Sequence, residues 1–213
     1  MKKIIRIFVC MLLIISFLSI TDTVLAGNKE NPEIIDETDD LFGMFIRKPM
    51  IFNFFKTFKI FNIKNFDFMD ITSAWFYESP DYQDNLYFTI ELKNLEFINQ
   101  RTIYAMHWKF NDKSYAVAVH VYKNGEIQSF FAGRTIGRWG KYYDINGSFD
   151  IENNIVSFVA PKSLIGNPEP GDILTKTDAW TGLRFIFEPA TIPLGGEAAK
   201  DWAGYGEDYI IKY

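Results

Sequence analysis

Apolar side chains recur at every second position through much of this chain, and that period limits the fold more than any other feature. Leu86, Phe88, Ile90 and Leu92 fall on one face, with Tyr87, Thr89, Glu91 and Lys93 on the other. Tyr104, Met106, Trp108 and Phe110 repeat the pattern, as do Tyr115, Val117, Val119 and Val121. A period of two is the repeat of a strand that is buried on one face. Turn chemistry separates the runs. Asn111 and Asp112 join two of them, Lys123-Asn124-Gly125-Glu126 reads as a hairpin turn into 127–132, and Asn146-Gly147 and Asn153-Asn154 mark further turns. Pro161 to Gly166 reads as one helical turn, begun by proline and ended by glycine. A rigid loop over 167–172 precedes closing strands at 181–187 and 208–213. No long helical period appears after residue 67. The pattern predicts an all-β fold, a two-sheet antiparallel β-sandwich of jelly-roll or immunoglobulin-like type, over residues 66–213.

Three segments of different character precede it. Residues 1–26 open with Lys2, Lys3 and Arg6, continue through an uncharged and mostly apolar run over 7–20, and end Val24-Leu25-Ala26. That is the layout of a secretory signal peptide cut after Ala26; the apolar run is shorter than the roughly 20 residues a spanning helix needs. The protein is therefore expected to be secreted, with an uncleaved, membrane-anchoring segment as the alternative. Residues 27–41 concentrate acids around Asn31-Pro32 and read as an acidic flexible tether. Residues 42–65 are basic and rich in phenylalanine. Ile51, Phe54, Phe55, Phe58 and Phe61 share a helical face, which a membrane surface would accept, while Phe52, Phe54, Phe58 and Ile60 suit a strand.

Composition closes several routes to function. A formal charge of −5 argues against nucleic acid as a partner. The single cysteine, Cys10, lies in the leader, so cleavage leaves no thiol chemistry. No G-x-S-x-G, H-E-x-x-H, P-loop or dinucleotide glycine motif occurs. Asp70, Glu91 and Asp150 sit singly on their strands, without the facing partner that glycoside hydrolysis requires. Loop acids at Asp67 and Asp70, Asp81 and Asp84, and Asp201 with Glu207 and Asp208 are either turn and solubilising residues or, as in some extracellular sandwiches, oxygen ligands for calcium; no cofactor is expected other than such a calcium ion. Trp75, Tyr77, Tyr87, Trp139, Tyr142 and Tyr143 are the rings that could stack on sugars, and they would serve equally well as core.

The segments DITSAWFYES, DNLYFTIELKNL, IYAMHWKFNDKSYAVAV, GSFDIENNIVSFVAPKSLIGNPEPGD and the closing GEDYIIKY resemble, in their order, the trailing β-sandwich domains of some secreted subtilisin-like peptidases. More distantly they are similar to DOMON domains and family 9 carbohydrate-binding modules. The resemblance covers about 66–213 and rests on the order of elements, not on a diagnostic motif. It implies a sandwich used as a binding or accessory module, sugars or haem being held on one sheet in the better-known relatives.

Both histidines, His107 and His120, lie on the face opposite Trp108 and Val117, among Ala105, Ala116 and Ala118. A two-residue turn pairing Phe110 with Lys113 places them four residues apart, ~13 Å, too far to share a metal or a haem iron. A longer turn makes them diagonal neighbours. The expected ligand site is this face, with His107, His120, Ala116, Ala118 and Tyr122 as its residues, the alanines forming its floor. The function expected is that of an exported, noncatalytic binding or accessory module taking a carbohydrate or another cell-surface ligand; the alternative is a secreted hydrolase acting on glycans or peptides. No catalytic residue is assigned. Contact with a membrane would come through 42–65 or an uncleaved leader.

Overall fold

The structure, a computed structural model, describes residues 27–39, 42–43, 66–97, 101–122, 126–136, 139–185 and 196–213. The leader and nearly all of the basic aromatic segment lie outside the described residues.

Twelve strands form among the described residues: β1 (Ile34–Ile35), β2 (Phe42–Gly43), β3 (Ile71–Tyr77), β4 (Asn85–Leu92), β5 (Arg101–Phe110), β6 (Lys113–Val121), β7 (Ile127–Ile136), β8 (Trp139–Asp150), β9 (Ile155–Pro161), β10 (Ile173–Phe185), β11 (Gly196–Tyr205) and β12 (Tyr209–Ile210). Among the described residues a single 3-10 turn, Lys162–Leu164, follows Pro161 and leads to Gly166 at φ +97°, as the sequence predicts. Asn111 and Asp112 both adopt positive φ, 48° and 57°, in the two-residue hairpin between β5 and β6.

The antiparallel all-β expectation holds, but the strands are not divided into two separate sheets. They follow one continuous order, β1-β3-β4-β9-β8-β7-β6-β5-β10-β11-β2, with β12 on the start of β10. Strand β8 makes the continuity. Its first half pairs with β7 as far as Ile145, and Asn146 onward pairs with β9. The sheet curls here into a half-barrel. Asn146 and Gly147, expected as a turn, instead lie within β8 where it changes partner. A Cβ on Gly147 would fall 2.1 Å from the Phe130 ring. The glycine thus admits Phe130 to the core, where it packs 5.5 Å from Phe149 and 5.7 Å from Phe158.

The two arms of the curl close on an aromatic core. Trp108 of β5 stacks on Phe88 of β4 at 4.8 Å and meets Phe76 of β3 edge-on at 5.9 Å. Tyr104, Met106, Val117, Val119 and Val156 are also fully buried. Each such side chain contributes about 1.5–3 kcal/mol, which holds the inward face of every strand in register.

Where the ends of the curled sheet meet, side chains and loops replace ladder pairing. Ile71 N–H donates to Asp201 Oδ2 at 2.7 Å, and Thr181 Oγ1 donates to the Met69 carbonyl at 2.6 Å.

Residues 27–39 belong to this closure and are not the flexible tether expected from their charge. Ile34 is fully buried and opposite Ala74. The Phe76 N–H donates to Glu33 Oε2 at 2.9 Å, and the Glu207 N–H donates to the Glu33 carbonyl at 2.8 Å. One buried isoleucine and a carboxylate used as a backbone acceptor are enough to dock a segment whose other side chains are mostly polar. Burial pushes the Glu33 carboxyl up from 4.5 to about 7, against the opposing effect of the Phe76 N–H. An acid whose pKa rises on folding favours the folded state while protonated, and that contribution is lost as pH climbs from about 4.5 through about 7. The Glu33→Gln variant keeps an acceptor for Phe76 and removes the titration. It should melt higher than the parent at pH 8 and no higher at pH 4.5; equal melting shifts at both pH values would refute the assignment.

Candidate functional site

The face expected to carry a ligand is the outer face of β5, β6 and their neighbours. Phe110 pairs with Lys113, so the shorter register is realised: His107 stands opposite Ala116 and His120 opposite Ile103. The two histidines are therefore four residues apart along the sheet, ~13 Å, and do not share a metal or a haem iron.

Two β-bulges supply side chains to this face that strict alternation would send elsewhere. Between Thr175 and Asp178, β10 carries one more residue than β5, with Lys176 at φ 51°. The extra residue brings Asp178 beside His107 and Trp180 beside Ala105. Between Trp202 and Tyr205, β11 carries one more residue than β10, with Gly204 at φ 64°. That bulge turns both rings outward, 39% and 66% exposed and edge-to-face at 5.6 Å.

The result is a flat strip. The Trp180 indole N–H donates to His107 Nε2 at 3.2 Å, and His107 Nδ1 lies 3.0 Å from Asp178 Oδ1. An indole nitrogen can only donate, so Nε2 is the acceptor, the ring proton sits on Nδ1, and Nδ1–H donates to the carboxylate. The His107 and Trp180 rings lie 30° from coplanar with centroids 5.9 Å apart. The far edge of the indole rests over Gly182, where a Cβ would come 2.8 Å from Cζ3. Trp180, His107 and Asp178 thus lie edge to edge along the sheet, each fixing the next. His107 with Asp178 has the form of the orienting half of a hydrolase triad, yet Nε2, the atom that would face a nucleophile, is taken by the indole.

Across the face a second group stands edge-on. His120 meets Phe131 at 5.1 Å and 85°, and Phe131 meets Tyr142 at 5.2 Å and 67°. Beyond His120, the Arg101 guanidinium lies 4.4 Å from the centre of the Tyr122 ring.

The alanines between these groups are not an open floor. Ala105, Ala116 and Ala118 are 1%, 3% and 5% exposed, and they pair with Trp180, His107 and Phe131 respectively. The accessible surface is the rings, and the alanines are the bed on which the rings rest. Ala116→Leu should therefore lower stability by about 1–3 kcal/mol by forcing rings off the sheet, read as a shift of the urea midpoint. An unchanged midpoint would show that the floor is open after all.

The remaining candidates are placed as follows. Tyr77 and Tyr87 stack on each other at 4.7 Å on the outer face of the other arm, and Trp75 is buried. Tyr142 and Tyr143 are exposed; the Trp139 side chain lies outside the described residues. Glu91 is held by Lys29 and Ser73, and Asp150 by Asn153. Asp39, Asp67 and Asp70 converge with carboxylate oxygens within 4.8 Å, but the Lys93 ammonium already lies 2.7, 3.2 and 3.5 Å from them. Burial raises the pKa of Asp70, while Lys93 is held protonated by its hydrogen bonds to Asp39 and Asp67. Asp201 serves the Ile71 N–H. No helix among the described residues is long and apolar enough to cross a membrane.

No protein-family model matches this chain, and no match is found among curated proteins or among solved structures. The functional reading rests on the site itself.

Proposed function

We propose that this protein is an exported, noncatalytic binding module that holds a glycan on the outer face of its curled sheet. The observation that carries the reading is the Trp180–His107–Asp178 strip. A sugar ring presents an apolar face and an equatorial belt of hydroxyls. An indole lying along a sheet offers the matching π-face, and a carboxylate at the end of the strip offers a hydroxyl acceptor. Because the ring is already fixed by a hydrogen bond and by its contact with Gly182, little side-chain freedom is lost on binding. Trp202 and Tyr205 extend the same surface at the sheet edge, where a chain would run on past the strip.

The test is a screen of the purified protein and its Trp180→Ala variant against immobilised polysaccharides and oligosaccharides. Retention of the parent on at least one glycan class, reduced at least tenfold in the variant, is the expected result. Absence of retention on every glycan would overturn the reading.

A further inference from the structure

The outer face is not electrically uniform, and we infer from this that the glycan it takes is an acidic one, a chain bearing carboxylate groups. The inference rests on the glycan reading above and specifies its ligand. At one end of the face Asp178 is engaged by His107. At the other end stands Arg101, half-buried, its guanidinium over the Tyr122 ring. Among the described residues no carboxylate lies within ion-pair distance of Arg101. A guanidinium stacked on an aromatic ring keeps its in-plane N–H donors at its edge, in the fork geometry that suits a carboxylate.

On a protein of net charge −5, this end of the face is where a negative group is best accommodated.

Spacing links the two ends. The far edge of the Trp180 ring lies over Gly182, opposite Ile103, and Arg101 is two residues farther along β5. That is ~7 Å, within the span of a disaccharide, so one residue can stack on Trp180 while the carboxylate of its neighbour reaches Arg101.

Calorimetric titration of the full protein with a hexamer of galacturonic acid and with cellohexaose, an uncharged hexamer, tests this. The acidic hexamer should bind at least tenfold more tightly, the worth of a charge-assisted forked contact. The Arg101→Gln variant should lose that preference while keeping its affinity for the neutral hexamer, and Arg101→Lys should retain part of the preference. Equal affinity for the two hexamers, or a preference unchanged in Arg101→Gln, would overturn the acidic specificity and leave the glycan reading standing. Binding of neither hexamer by the parent protein would overturn the acidic specificity; only silence across the whole polysaccharide screen would remove the glycan reading as well.

Discussion

Replacing Glu78 with alanine should cost about 3–5 kcal/mol of folding stability, the effect of removing one partner from a buried ion pair. Glu78 follows β3 with its side chain fully buried, and its Oε1 lies 2.6 Å from the Lys162 ammonium, itself 7% exposed. Its Oε2 accepts the Lys212 N–H at 2.7 Å and the Tyr209 hydroxyl at 3.3 Å, and Oε1 accepts the Tyr213 N–H at 3.4 Å. Lys162 also donates to the Tyr213 main-chain oxygen. Burial beside Glu78 raises the pKa of the Tyr209 phenol, which stays a donor. Alanine would leave all these groups facing an apolar gap, with an ammonium among them. Urea denaturation reads the loss directly. The double change Glu78→Leu with Lys162→Met should cost less than Glu78→Ala alone, since no charge remains stranded. A loss below about 1 kcal/mol in the single variant would show that Lys162 finds solvent without penalty.

The second large effect is expected on binding. Gly182→Val should weaken glycan binding at least tenfold, although residue 182 lies beneath the Trp180 ring and is not itself placed against the ligand. Its Cβ would meet the indole at 2.8 Å and, with two further methyls, lift the ring off the sheet. The 3.2 Å hydrogen bond from Trp180 to His107 would then break and the strip would lose its flatness. The Trp180 Nε1–H resonance in proton–nitrogen spectra reports the geometry, and titration reports the affinity. Retained affinity alongside a displaced resonance would show that flatness is not what the ligand needs.

Much of this architecture is legible in the sequence, and the parts that are not share a cause. Strands β4, β5 and β6 announce themselves because each alternates, and burying Phe88, Trp108 or Val117 fixes which face turns inward. The separation of His107 and His120 followed once the turn at Asn111 and Asp112 was known to hold two residues. Strand β11 was missed: Gly196, Ala198, Ala199, Lys200 and Asp201 have little preference for strand, and pairing with β10 and β2 imposes it. The rings of the candidate site were missed for a related reason. Trp202 and Tyr205 are three apart and by alternation belong to opposite faces; the extra residue at Gly204 reverses the parity, as the one at Lys176 does for Asp178. A bulge is a one-residue event that no periodicity reveals. Asn146-Gly147 misled in the opposite direction, since a glycine that makes room for Phe130 looks the same in sequence as one that makes a turn.

The closure of the curled sheet sets how this chain must fold in time. The contacts at the closure join residues very far apart in sequence, 130 positions between Ile71 and Asp201 and 131 between Glu78 and Tyr209. Hairpins such as β5–β6 need only a short loop to close, but these contacts give nothing back until nearly the whole chain has been gathered. Refolding should accordingly be slow, in the millisecond-to-second range typical of folds dominated by non-local pairing. The meander from β5 to β8 can assemble first. The junction of β3 with β10 and β11 comes last, leaving the partly folded chain with two unpaired strand edges until it does.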